Sequence, residues 1–500
     1  MARVSHITTE SASKSLILRP LTSSPLLHSD RARSSTFAIL PDDIIVTILG
    51  SLDIRDIISI RRVSRGFERA TKLRALWILL AHREVLDRKL SWPSYALPLT
   101  TVPTKTIEEY TVRATEIARQ WAPGSETQLR TPSRCIIRPP NSIGWLRMVK
   151  GRWLILELRG KQLEVWDIQN DQGSEPTASY RGLNGIIDGS CITSAESSVT
   201  IILSTSYVTN YLNINLPYLG HTGPTPNFTL LDNFEGYSGL LDAQAGLAVF
   251  SRSVSSSRPL VRNMGTGSIV YFESSSQRPQ RLLSAQILKE YIVLLGPWTM
   301  EIYSIAKILS LMMDGHDDTS SKVVHASQLL AYPEGEMANY ITVLDPSPGL
   351  SSKNGESEFC VGVYIDPSAK WMRLHVRLGL NSDSSTFTYS THYLFGTVEL
   401  RTMACCWGGC GQRVLLAVSR GASIRVLCVM VPSDSNILYP EFSDHTAFRW
   451  FVVQDGEKDL LAGFAFDEAT GVCAIATSSG RIWIDDFSKQ SSEVRYDVVH

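Results

Sequence analysis

Between residues 40 and 80 large apolar side chains recur at every third or fourth position, and beyond residue 130 that period is gone. Pro41 suits a first helical turn, where its missing N–H costs nothing, and Asp42 and Asp43 complement the positive helix end. Ile44, Ile45, Ile48, Leu49 and Leu52 then fall on one side of a helix. Gly50 weakens its end, and Asp53 followed by Asp56 resembles a capping box for a second helix. Ile57, Ile60, Val63, Phe67 and Ala70 continue the spacing, and the mostly apolar run from Leu73 to Leu80 contains Trp77. Helices this short must bury their stripe against something else, and about 38 residues cannot build a core of their own. Either the rest of the chain or a partner must cover that surface.

Pro93, Pro98 and Pro103, mixed with Ser and Thr, mark residues 91–105 as a linker. Thr106 with Glu109 opens a helix of about fifteen residues that ends near Trp121, before Pro123 and Gly124, so 91–128 reads as linker and helix. Residues 1–36 are rich in Ser and Arg with two acids, Glu10 and Asp30, and have too little apolar area to offset the entropy of ordering them. They read as a disordered tail; Pro20 and Pro25 interrupt the amphipathic helix that a transit peptide would need.

From residue 129 to 495 short Val-, Ile-, Leu- and aromatic-rich runs alternate with Gly, Ser, Asp and Pro clusters. Paired runs resembling hairpins start near residues 152, 199, 247, 291, 359, 414 and 472. Strands recurring every 40–60 residues or so, with no helices between them, indicate a β-propeller with four strands per blade. Seven blades are favoured over six or eight. Two stacked β-sandwiches would show a similar density of turns, but fit the recurrence less well. The expected fold class is therefore mainly β, with a small amino-terminal α-helical domain at 37–90.

The segment that opens with Leu40-Pro41-Asp42-Asp43-Ile44-Ile45, continues through Arg55-Asp56-Ile57 and Val63-Ser64-Arg65-Gly66-Phe67, and closes with Leu76-Trp77 resembles the F-box. Ser64 stands where a Cys is frequent, Gly66 weakens a third helix by about 1 kcal/mol relative to Ala, and Ala70, Thr71 and Lys72 are less apolar than usual. The resemblance implies a trihelical unit that docks a Skp-type adaptor and through it a cullin, making the chain the substrate receptor of an E3 ubiquitin ligase that performs no chemistry itself. Carried over by position, the adaptor contacts are Leu40, Pro41, Ile44, Ile45, Ile48, Leu49, Leu52, Ile57, Val63, Ser64 and Phe67, with Trp77 closing the helical core. Packing within the chain is the better reading for Ile60 and Ala70, and interface for Pro41, Ile45 and Leu49. The propeller half resembles degenerate WD-type repeats in little more than Trp166-Asp167, the Gly-His pairs at 220–221 and 315–316, and Phe466-Asp467-Glu468 with Gly471. Its loop face is expected to bind a protein substrate; the alternative is a propeller scaffold that acts outside any ligase.

Charge and composition narrow the partners. Lys and Arg number 48 against 49 Asp and Glu, leaving −1, without the basic excess of a nucleic-acid binder. The longest apolar run, residues 75–81, is far below the ~20 residues that span a bilayer. Eight cysteines without paired spacing point to the reducing cytosol or nucleus. Residues 53–90 hold ten basic residues against five acids, a solvated face or a means of steering an acidic adaptor. Cys405, Cys406 and Cys410 lack a fourth donor for tetrahedral zinc, and the Gly408–Gly411 turn lacks a phosphate-loop lysine. His316-Asp317-Asp318 and Asp444-His445 have no activated nucleophile beside them. No cofactor, metal or catalytic residue is expected. A phosphorylated substrate would call on an arginine such as Arg262, Arg373 or Arg401, and nothing in the sequence singles one out.

Overall fold

The computed structural model describes most residues from 40 to 490. Residues 1–39, 121–131, 217–225, 345–356, 394–400, 431–448 and 491–500, and several shorter loop stretches, fall outside the described set. Between 338 and 454 the description is of the strand backbones, with side chains at Val361, Arg413 and Leu415. The tail expected at 1–36 thus lies outside the described residues.

The helical part comprises α1 (Asp42–Gly50), α2 (Ile54–Ile60), α3 (Arg65–Ala70), α4 (Arg74–Ala81), a π-helical turn at His82–Leu86, and α5 (Thr104–Gln120). Helix α5 begins two residues before Thr106, because the Pro103 carbonyl accepts from the N–H groups of both Thr106 (3.0 Å) and Ile107 (3.1 Å). One hydrophobic core joins Ile45, Leu49, Ile57, Leu76, Trp77 and Leu80 to Trp92, Leu99 and Val102 from the stretch read as a linker, and to Ile107, Tyr110 and Ala114 of α5. The short helices therefore gain their core by recruiting Trp92, Leu99, Val102 and α5, which resolves the shortage of residues noted above.

After β1 (Pro132–Ile137) the strands form successive sheets. The first holds β2 (Ile143–Val149), β3 (Trp153–Leu158), β4 (Gln162–Asp167) and β5 (Ala178–Arg181); the second holds β6 (Ile187–Ser194), β7 (Ser198–Thr205), β8 (Val208–Asn215) and β9 (Asn227–Glu235). The third runs β10 (Tyr237–Gln244), β11 (Leu247–Ser253), β12 (Leu260–Asn263) and β13 (Ile269–Glu273). The fourth has β14 (Ser284–Ile287), β15 (Tyr291–Leu295) and β16 (Thr299–Ser304), and β18 (Gln328–Ala331) at its edge. Between β16 and β18 the chain makes α6 (Ile305–Met313) and β17 (Val323–His325), which returns to pair in parallel with β13. The expectation of a helix-free region fails here. Ile305, Ile308, Leu309 and Met312 recur at helical spacing, and Ile308 and Met312 are buried between the third and fourth sheets. This excursion also accounts for the long interval between the hairpins near 291 and 359.

Two further sheets hold β19 (Ala338–Leu344) to β22 (Thr386–Tyr393) and β23 (Arg401–Trp407) to β26 (Arg449–Gln454). The last consists of β27 (Leu461–Asp467), β28 (Val472–Thr477), β29 (Ile482–Gln490) and, beyond β29, β1. Inner strands touch in cyclic order, β2 to β6, β10, β14, β19, β23, β27 and back to β2. The β-rich region is a β-propeller, and the pairing of β1 with β29 joins its two chain ends within one sheet. Glycine permits the close approach of inner strands: a Cβ on Gly189 of β6 would lie 2.3 Å from the Leu240 amide nitrogen and 2.5 Å from the Leu240 carbonyl oxygen.

Helix α5 packs onto the last sheet. Ile117 is fully buried, and its Cδ1 occupies the space where a Cβ on Gly471 would stand, 2.5 Å away. Gly471 also has φ +68°, which a side chain would disfavour. Arg113 of α5 pairs with Asp486 at 3.8 Å. The helical part is thus seated on the turn that joins the first two strands of this sheet.

Two consequences are measurable. Gly189→Ala should lower stability by about 1–3 kcal/mol through overpacking against backbone that cannot yield, seen as a reduced thermal midpoint; an unchanged midpoint would contradict the close approach. Burial holds the carboxyls of Glu157 and Glu164 above the ordinary range. A carboxyl raised in the folded state contributes stability that is complete below its unfolded pKa and lost as pH rises through the folded value. Glu157→Gln should therefore gain on wild type as pH rises from about 4 to 7, whereas a constant difference in midpoint would refute the burial effect.

Candidate functional site

Helix α1 carries two apolar rows because successive residues turn by about 100°. Ile45 and Leu49 form one row and face α4; they retain 7% and 1% exposure. Ile44 and Ile48 form the other and remain 43% exposed, with Leu40 exposed at the same side of the sequence pattern. The N-terminus is set by Pro41, whose carbonyl accepts from the Ile45 N–H at 3.1 Å, with Asp42 and Asp43 in the first turn. At the other end Gly50 lets α4 come close: its Cβ would meet Leu79 Cδ2 at 2.6 Å. Leu79 is itself 42% exposed and extends the apolar surface from α4.

The turn into α3 adds Val63, 70% exposed. Asp53 caps α2 by accepting from the Arg55 N–H at 2.8 Å, and Ser64 caps α3 by accepting from the Phe67 N–H at 3.3 Å. Each cap satisfies an amide at a helix end, which is worth about 0.5–2 kcal/mol. Trp77 lies below this surface, fully buried, and its Nε1–H donates to the Thr71 carbonyl at 2.8 Å. The Arg61 guanidinium sits 5.5 Å from its ring, donates to Thr71 Oγ1 (3.0 Å) and the Thr71 carbonyl (3.1 Å), and pairs with Glu108 of α5.

Two other arginines turn inward. Arg74 donates to the carbonyls of Val102 (2.7 Å), Leu99 (2.8 Å) and Thr100 (2.9 Å), clamping the connection into α5. Arg83 donates to the Leu52 carbonyl at 3.0 Å. These arginines are part of the helical scaffold, a role the sequence reading missed because backbone carbonyl acceptors leave no trace in residue types.

The twelve expected adaptor contacts separate accordingly. Leu40, Pro41, Ile44, Ile48, Val63 and Ser64 are exposed, and Leu52 and Phe67 are half-buried. Ile45, Leu49 and Ile57 are interior, as Trp77 is, in a core shared with α4, α5, Trp92, Leu99 and Val102. Leu79 was not anticipated. Of residues read as packing, Ala70 is buried and Ile60 lies against the core.

Elsewhere, no three His, Cys, Asp or Glu among the described residues stand close enough to hold a metal. Cys405 and Cys406 lie on β23 opposite Leu416 and Leu415, while His316-Asp317-Asp318, Asp444-His445 and the Gly408–Gly411 turn lie outside the described residues. Among the described residues no helix is long and apolar enough to cross a membrane. Arg262 is committed inside the propeller: it donates to the Tyr237 hydroxyl at 3.0 Å and stacks 4.4 Å from the Phe234 ring.

Residues 37–82 match the F-box-like domain family. No curated protein matches the sequence. Among solved structures, the β-propeller domain of Cps50 (Swd1) from Myceliophteria thermophila is similar at 9% identity and a TM-score of 0.47, over 71% of this chain and 99% of that one.

The two rows of α1 make opposite predictions. Ile45→Ala should cost about 2–5 kcal/mol through the cavity it leaves, and Ile48→Ala should stay within about 0.5 kcal/mol of wild type, both read from thermal unfolding of the whole chain. Equal losses would show that the rows are not divided between interior and surface.

Proposed function

We propose that this chain, an F-box-like domain set ahead of a β-propeller, is the substrate receptor of a Skp–cullin–F-box ubiquitin ligase. In this reading it performs no chemistry. The helical part binds a Skp-type adaptor, which brings the cullin, and the propeller binds the protein to be modified. A compartment that holds this machinery, cytoplasm or nucleus, follows.

The observation that carries the reading is the second apolar row of α1. The F-box-like helices have completed a core with Trp92, Leu99, Val102 and α5, yet Ile44, Ile48, Val63 and Leu79 stay outside it. Exposed apolar groups gathered on one surface and rimmed by charge are characteristic of protein interfaces. Adaptor contacts are assigned to Leu40, Pro41, Ile44, Ile48, Val63, Ser64, Phe67 and Leu79. Ile45, Leu49, Leu52, Ile57 and Trp77 hold these from beneath.

The substrate face is assigned to the end of the propeller away from α5. Helix α5 contacts Gly471, in the turn between the first and second strands of its sheet, so the turns between second and third strands lie at the opposite end. One of these carries Trp298, 39% exposed. Its turn is rigid: the Gly296 N–H donates to the Thr299 carbonyl, and buried Tyr332 donates its N–H to the Trp298 carbonyl and its hydroxyl to the Gly296 carbonyl. An exposed indole on a turn whose backbone is tied in this way is a typical anchor.

Affinity capture of purified adaptor by the full chain tests the assignment. Ile44→Asp/Ile48→Asp should abolish capture with little change in thermal midpoint, and cullin should co-purify with wild type. Equal capture by both proteins rejects the docking assignment; adaptor without cullin supports a scaffold outside the ligase.

A further inference from the structure

Folding of the first propeller sheet leaves the Glu157 carboxyl unmatched. Glu157, the last residue but one of β3, keeps 5% exposure, yet no hydrogen bond or ion pair reaches it among the described residues. Arg159, two residues on and exposed, acts on it only through space. Glu164, buried in the same sheet, shows the usual arrangement: it accepts from Trp166 Nε1–H at 3.0 Å and from the Gln162 carboxamide at 2.9 Å. A buried carboxyl with no donor is costly and uncommon, and carboxyls so placed gather at functional sites.

Strand β3 leads into a turn between second and third strands, so Glu157 stands at the end of the propeller away from α5. Its carboxyl lies against inner strand β2: Oε2 occupies the space that a Cβ on Gly144 would fill, and Gly144 is exposed. Directly across from Glu157 on β2 is Trp145, half-buried, whose Nε1–H is buried without an acceptor among the described residues. The second sheet adds polar groups to the same layer. Ser190 of β6 and Asn210 of β8 both lie opposite Leu203, and residues directly opposite share a face. Leu203 belongs to one core with Trp145, Ile155 and Leu163, and Leu163 lies opposite Glu157. Asn210 is buried and likewise has no hydrogen bond among the described residues.

We infer that Glu157 receives a cationic side chain, a lysine or arginine of the bound protein, which enters beside Gly144. This rests on the assignment of the substrate to this end of the propeller and names what the substrate must present there. An ammonium or guanidinium group carries donors only, which suit a carboxylate with no donor of its own and the carbonyl oxygen of Asn210. The main-chain carbonyl of the entering segment suits the Trp145 N–H. Charge-assisted bonds of this kind are about twice as strong as neutral ones. A carboxamide side chain would forgo that gain, and an acidic one would meet a second carboxyl.

The test is fluorescence anisotropy of the full chain with pools of short labelled peptides that carry Lys, Arg, Gln or Glu at the centre and Gly, Ser and Ala around it. The Lys and Arg pools should bind wild type at least about tenfold more tightly than the Gln and Glu pools. Glu157→Gln, which keeps the shape and removes the charge, should abolish that preference while its thermal midpoint at neutral pH stays at or above that of wild type. Asn210→Ala should weaken binding of the Lys and Arg pools by a smaller factor. Equal binding of the four pools by wild type, or an unchanged preference in Glu157→Gln, overturns the inference. Adaptor capture judges the ligase reading separately. Captured adaptor with no preference among the pools removes this site alone, and a Lys or Arg preference without adaptor capture keeps the site and removes the ligase.

Discussion

The packing of one row of α1 against α4 determines everything that faces outward. Ile45 and Leu49 meet Leu76, Trp77 and Leu80, and that contact fixes the rotation of α1 about its axis. Once these side chains are inside, geometry leaves Ile44 and Ile48 no route into the same core, because they lie about 100° around the helix. Adding more of the chain to the core does not rescue them. Trp92, Leu99, Val102 and α5 do join it, and they lie with the inner row.

The same economy recurs at the join between the two parts. Arg74 clamps the connection that leads into α5, Arg61 ties α2 to Glu108 of α5, and α5 in turn rests Ile117 on Gly471 and Arg113 against Asp486. The sheet that receives α5 also contains β1 and β29, the first and last strands of the propeller. The helical part, through α5, and both ends of the propeller therefore meet at one sheet.

Much of the architecture was legible in the sequence, for a physical reason. Each hairpin read from the sequence corresponds to the second and third strands of a sheet, as with Trp153–Leu158 paired to Gln162–Asp167. Trp153–Leu158 and Val472–Thr477 are buried throughout and so read as near-continuous apolar runs. Inner strand β2 mixes exposed Gly144 and Arg147 with buried Leu146, and outer strand β9 is mostly exposed, so neither carries a clean period. Strand β17 spans three residues, and α6 was hidden by the expectation of strands around it. In the amino-terminal part the F-box pattern located the helices α1 to α4. Residue type could not tell Ile44 from Ile45, since both are isoleucine and only the position of α4 decides which is inside. The seven-residue run 75–81 likewise gave no sign that Leu79 would turn outward from beside Gly50.

The central claim is that the outer row of α1 becomes buried on binding a partner while the inner row does not change. Side-chain oxidative footprinting of the full chain, with and without purified adaptor, measures this directly. The account predicts protection of Ile44, Ile48, Val63 and Leu79 on binding, with Trp77 slow to react in both states. Unchanged labelling of those four residues in a saturated complex would contradict it.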